Sequence, residues 1–292
     1  MKQAKERVAI YGASNAAGWA ESHLGVDYHS ANIMQAAIKK PPFVQESPSD
    51  LVIDLSTNPQ LPEGEFVLNV AIPGADVFEL MENFEFEVLD AQPSHLFFWS
   101  GLNDIVVAVT LLHDRGAEDR LAQEGYEEGV KQFKDAFTRL DDIDSSLTAA
   151  SGIIFSQIEH MVTSARNNQI QTLIGTIPPF SAALPRWEED PTTPDVKHFR
   201  KEGLALIGLV NNRIRVLGRD DCTIDAFSRV VDQETGLTKA GFSYGVTVPD
   251  FGGDILHLNS MGQIQVAQVL CQRVLNKNVA IVPPNPARIR QG

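Results

Sequence analysis

Basic charge is scarce in this chain. Its 292 residues carry 24 Lys and Arg against 38 Asp and Glu, a formal charge of -14 at neutral pH. Nucleic acids and anionic membranes are gripped by clustered Lys and Arg, so neither is expected as a partner. The acidic surface is read as a solubility feature. Cysteine is scarcer still. Cys222 and Cys271 are the only two and lack metal-type spacing, so two buried thiols are expected rather than a disulfide. No apolar run approaches the roughly 20 residues that span a bilayer. No signal-peptide core follows the polar start Met1 to Arg7, which makes the cytoplasm the expected location. Six of the seven histidines (His23, His29, His95, His113, His160, His198) form no cluster with ligand spacing. Asp220, Asp221 and Asp225 lack the glycine-bearing loop of a calcium site. Neither a metal nor a cofactor is expected, and the oligomeric state leaves no mark.

What is present is an ordinary globular composition, 43% hydrophobic and 21% charged. Short β-rich runs alternate with longer helical patterns. Arg7 to Gly12, Leu51 to Ser56, Phe66 to Ile72, His95 to Trp99, Ile170 to Ile177 and Cys222 to Ser228 read as strands. Leu121, Tyr126, Val130, Phe133, Phe137 and Leu140 share one helix face. Leu147, Ile154, Ile158, Met161 and Ala165 share another, after the capping candidates Ser145 and Ser146. A last helix starts near Ser260 and turns Ile264, Ala267, Cys271 and Leu275 inward. This alternation predicts an α/β fold with a mostly parallel sheet covered on both faces and working residues at the strands' carboxyl ends. Loops are expected over Lys39 to Asp50 and Pro178 to Asp195, and a surface tail at Pro283-Pro284-Asn285-Pro286.

Four stretches could carry chemistry. The first strand ends in Gly12-Ala13-Ser14-Asn15-Ala16-Ala17-Gly18, which puts a serine hydroxyl at a strand-to-helix turn and its N–H at a helix N-terminus. Alone, Ser14 would read as an N-cap. The run fits neither the Gly-x-Ser-x-Gly elbow nor the three-glycine dinucleotide fingerprint. Asp254-Ile255-Leu256-His257, after Gly252-Gly253 and before a helix, offers a base and an acceptor to fix its tautomer. Asn69 to Gly74 ends a strand in a glycine whose N–H can approach a substrate closely. Trp99-Ser100-Gly101-Leu102-Asn103-Asp104 ends another with a neutral amide donor. Taken singly, Gly74 is a turn glycine, Asn103 a loop asparagine and Asp254/His257 a surface pair. Trp19, Trp99 and Trp187 are further pocket candidates, with core packing preferred for Trp19.

The order Ser, Gly, Asn, Asp-x-x-His resembles the SGNH, or GDSL, hydrolase superfamily over residues 7 to about 275. The four blocks correspond to Gly12-Ala13-Ser14, Asn69 to Gly74, Gly101-Leu102-Asn103-Asp104 and Asp254 to His257. The resemblance implies a flavodoxin-like three-layer α/β/α sandwich, one domain over 1–292, with a helical insertion near 114–168 beside the site. It further implies an esterase acting on a small-molecule ester, with Ser14 as nucleophile, His257 as base and Asp254 orienting it. The Ser14 N–H, the Gly74 N–H and the Asn103 side chain would form the oxyanion hole. The chain departs at Ala13, where the family usually has an aspartate expected to hold the turn. The alternative is therefore a catalytically impaired module of the same fold that binds a ligand or protein.

Overall fold

A computed structural model describes residues 8–17, 44–46, 50–54, 67–180, 196–239, 242–245, 254–275 and 278–282. Trp19, Trp187, His23, His29, Gly252, Gly253, Pro283 to Pro286 and most of the two expected loops lie outside these. So do the side chains of His198, Asp220, Asp221, Asp254 and Leu275. In chain order the elements are β1 (Val8–Gly12), α1 (Ser14–Ala17), β2 (Val44–Glu46), β3 (Asp50–Asp54), β4 (Val67–Asn69) and α2 (Val77–Phe84). Next come β5 (His95–Trp99), α3 (Leu102–His113), α4 (Glu118–Leu121), α5 (Glu127–Phe137), α6 (Ile143–Asn167) and β6 (Gln171–Gly175). The rest are α7 (Val196–Cys222, kinked at Arg219), β7 (Thr223–Ile224), α8 (Ala226–Val230), β8 (Ser243–Gly245), β9 (Asp254–Leu258), α9 (Ser260–Leu275) and β10 (Asn278–Val282).

Five strands form one all-parallel sheet in the order β4-β1-β5-β6-β7. A strand buried on both faces needs apolar residues at every position, because successive side chains point to opposite sides. β1 and β5 meet that need. Ala9, Tyr11, Leu96 and Phe98 join α2 to α7 in one core cluster. Val8, Ile10, Phe97 and Trp99 join α1, α8 and α9 in the other. The result is a three-layer α/β/α sandwich. β3 lies between β10 and β2 in a second sheet, and β8 and β9 form an antiparallel pair whose register shifts between Ser243 and Gly245. Among the described residues no helix is long and apolar enough to cross a membrane.

Helices α5 and α6 supply the periodic faces read from the sequence: Val130, Phe133, Phe137, Leu147, Ile154, Ile158, Met161 and Ala165 are all buried. The first of these patterns is broken at Gly125, whose φ of 102° ends one helical turn before α5 begins. The cap of α6 is Asp142, not Ser145 or Ser146; its side chain accepts from the Ser145 N–H at 2.8 Å. β7 is much shorter than Cys222 to Ser228 because Asp225 caps α8, accepting from Ser228 N–H, and ends the strand there. Cys222 and Cys271 are free thiols. Burial pushes Cys271 up to about 12, whereas Cys222 is only half-buried, contrary to expectation.

Gly12 pairs with Trp99 across β1 and β5. A Cβ on Gly12 would lie 1.9 Å from the Trp99 carbonyl oxygen, and its φ is +149°. Close backbone approach and an unusual φ both demand glycine at this point. Gly12→Ala is expected to destabilise the fold by about 2–4 kcal/mol, read as a lowered denaturant midpoint. Gly74→Ala, which meets only the strain of a positive φ, should cost about 1–2 kcal/mol.

Candidate active site

Three of the four sequence blocks leave the carboxyl ends of three adjacent parallel strands. The chain after β4 stays beside β1: Val70 N–H donates to Ile10 O at 3.1 Å and Ile72 N–H to Gly12 O at 2.9 Å. It then turns through Pro73-Gly74, closed by Ala75 N–H to Ile72 O, with Gly74 at φ +86°. On the other side of β1, Ala13 N–H donates to Trp99 O at 3.2 Å. The serine turn is thus held between its two neighbours by backbone bonds, without a polar side chain at position 13.

Ser14 is the first residue of α1 and is 7% exposed. It does not act as a simple cap: its Oγ and His257 Nε2 are hydrogen-bonded at 2.6 Å across 243 positions of sequence. His257 arrives on β9, the strand that pairs antiparallel with β8. Asp254 opens the same strand.

Asn103 lies half-buried in the first turn of α3, behind Gly101 at φ +107°. Its Nδ2 donates to the Ala75 carbonyl at 2.9 Å, so the amide is held against the residue that follows Gly74. The next residue does the complementary job. Asp104, fully buried, accepts from Val77 N–H at both carboxylate oxygens, at 3.1 and 3.2 Å. Asp76 caps α2 through Phe78 and Glu79 N–H. Asn103 and Asp104 together strap the Gly74 turn to α3. Of the tryptophans, Trp99 is described. It is a core residue, with Nε1–H donated to Thr176 O and its ring against Gly175.

Two features of the site went unread in the sequence. Asn15 is buried beside Ser14 and hydrogen-bonds Leu256 O and Leu258 N–H, while Gln263 Nε2 donates to the Asn15 carbonyl. The signal was a lone amide among small residues next to the serine. The Asp76/Asp104 pair was the other, and Asp104 was visible only as part of Gly-x-Asn-Asp. Among the described residues no group of three or more His, Cys, Asp or Glu is placed to hold a metal.

Burial, and then the negative charge of Asp76, pushes the Asp104 carboxyl well above the usual carboxylate range, against the pull of the Val77 N–H. Asp76 is raised as well, mainly by burial. A carboxyl raised in the folded state holds its proton more tightly there than in the unfolded chain. Its contribution is therefore greatest below the ordinary carboxylate value of about 4 and is lost as pH rises through the raised one. Asp104→Asn should remove this loss. The melting temperature of the variant should gain on wild type as pH increases from 4 upward; a constant difference between the two would assign the buried proton elsewhere.

No protein-family model matches the chain, and no curated protein matches it. Solved structures do. A GDSL-like lipase from Bacteroides thetaiotaomicron superimposes with a TM-score of 0.50 at 14% identity, covering 93% of this chain and 89% of that one. A protein of Bacteroides fragilis classed as an acylhydrolase gives 0.50 at 16% identity, covering 94% and 89%. One from Desulfitobacterium hafniense, classed with the G-D-S-L lipolytic proteins, gives 0.50 at 11%, covering 92% and 99%. With the all-parallel sheet and its two helical layers, these likenesses show that the chain has the SGNH, or GDSL, hydrolase fold.

Proposed function

We propose that the protein hydrolyses a carboxylic ester through a covalent acyl-enzyme on Ser14. The observation that carries this reading is the 2.6 Å hydrogen bond between Ser14 Oγ and His257 Nε2. A serine hydroxyl is a weak nucleophile until an adjacent base can take its proton. As Oγ bonds to the ester carbonyl carbon, its proton passes to Nε2. The imidazolium then returns that proton to the leaving alcohol. Water then attacks the acyl carbonyl as His257 takes one of its protons, and that proton passes to Ser14 Oγ as the carboxylic acid leaves. Asp254, on the same strand, is assigned as the acceptor that fixes the His257 tautomer.

The oxyanion is assigned to the Ser14 N–H, the Gly74 N–H and Asn103. An amide nitrogen carries two N–H groups. One of those on Asn103 is used by Ala75 O, and the other is assigned to the oxyanion. The fixed Ala75 contact favours this role, because a preorganised donor costs no reorganisation during the reaction. The whole chain is taken as one hydrolase unit, the 114–168 helices included, acting on a small-molecule ester without metal or cofactor.

One feature favours a non-catalytic module that binds a ligand or protein: Ala13, where the resemblance implies an aspartate. The backbone bond from Ala13 to Trp99 weighs against it, since it holds the serine turn by other means. The test is turnover of short-chain p-nitrophenyl esters. Ser14→Ala should lose about a thousandfold or more, and Asn103→Ala about a hundredfold. Wild-type turnover in Ser14→Ala would exclude the mechanism, and in Asn103→Ala it would remove Asn103 from the oxyanion hole.

A further inference from the structure

The strand that carries His257 is no member of the five-stranded sheet that carries Ser14. β9 pairs with β8, in an antiparallel ladder with a register shift. The main sheet therefore does not by itself fix the distance between nucleophile and base. Among the described residues, the Asn15 side chain ties the two across this gap. Its Nδ2 donates to Leu256 O at 3.2 Å, and its Oδ1 accepts from Leu258 N–H at 3.0 Å. These two backbone groups belong to the residues immediately before and after His257. A carboxamide offers a donor and an acceptor side by side, which is what a neighbouring strand would present to the edge of β9. The residue is 7% exposed, so little water competes for either bond. A third bond, Gln263 Nε2 to the Asn15 carbonyl at 3.0 Å, ties the same residue to α9, the helix that follows His257.

We propose that Asn15 is a positioning residue that grips the β9 backbone on both sides of His257 and so sets its ring on Ser14. The proposal rests on the hydrolase reading for its kinetic consequence but not for its geometry. Asn15 is joined to Ser14 by one peptide bond, so a shift of β9 relative to Asn15 is a shift of base relative to nucleophile. A misplacement of about 1 Å is enough to cost roughly a hundredfold in rate. Asparagine is specific to the task. Aspartate would set a second acceptor against Leu256 O, serine is too short to span both backbone groups, and alanine loses both bonds.

Two readouts test the proposal. The first needs no activity: the His257 ring nitrogens are followed by 15N NMR at one fixed pH in wild type, Ser14→Ala and Asn15→Ala. Asn15→Ala should shift the His257 signals as Ser14→Ala does, because both remove the Ser14 contact from the ring. The second is ester turnover, where Asn15→Ala should lower kcat roughly a hundredfold with KM changed less than about threefold. Should Asn15→Ala fail to fold, Asn15→Ser, which reaches one backbone group at most, should move both readouts in the same direction. His257 signals that keep their wild-type positions in the Asn15 variants would overturn the proposal, as would a loss seen only in KM or in melting temperature. If wild type turns over no ester, the hydrolase reading fails, and the NMR comparison still decides whether Asn15 seats His257.

Discussion

One hydrogen bond, from Ser14 to His257, joins two parts of the chain 243 positions apart, and the rest of the site is arranged around holding its ends. A contact of 2.6 Å tolerates little error, and both partners are ordinary surface residue types that packing alone would not place. The serine end is fixed by the sheet: Gly12 lets β1 press against the Trp99 backbone, and Ala13 and Gly12 are hydrogen-bonded to Trp99 and Ile72 on either side. The histidine end is fixed by side chains and by its own hairpin, since β9 belongs to another sheet.

The hydrophobic layers make that precision possible. β1 and β5 are apolar on both faces, so they are immobilised between two helical layers and their carboxyl ends become rigid mounts. Polar groups then do the finer work at those ends. Asn103 and Asp104 grip consecutive parts of the segment that follows Gly74, one through a carbonyl and the other through an N–H. Burying Asp104 has an energetic cost, visible in its raised pKa, and the two-oxygen bond to Val77 offsets part of it.

Much of this was legible in the sequence, for physical reasons that differ between parts. Strands buried on both faces announce themselves as short apolar runs, and His95 to Trp99 matches β5 residue for residue. The amphipathic faces of α5 and α6 were equally plain. α3 was not, because its Ile105, Val107, Ala108, Val109 and Leu111 are all buried and leave no periodic polar face. α7 carried the signal in Leu206, Ile207, Val210 and Ile214, but no strand or motif drew attention to it. Ser14 and His257 could be paired from motif order. Asn15 could not, because a side chain that bonds backbone groups 241 and 243 positions away leaves no spacing to read.

The proposed chemistry requires Ser14 to be an activated nucleophile. The most direct measurement is reaction of the folded protein with a fluorophosphonate, with the adduct located by mass spectrometry and Ser14→Ala as control. One adduct per chain is expected, on Ser14 and absent from the variant. A folded protein that remains unmodified, or is modified equally when Ser14 is replaced, would contradict that chemistry and leave the fold to a binding role.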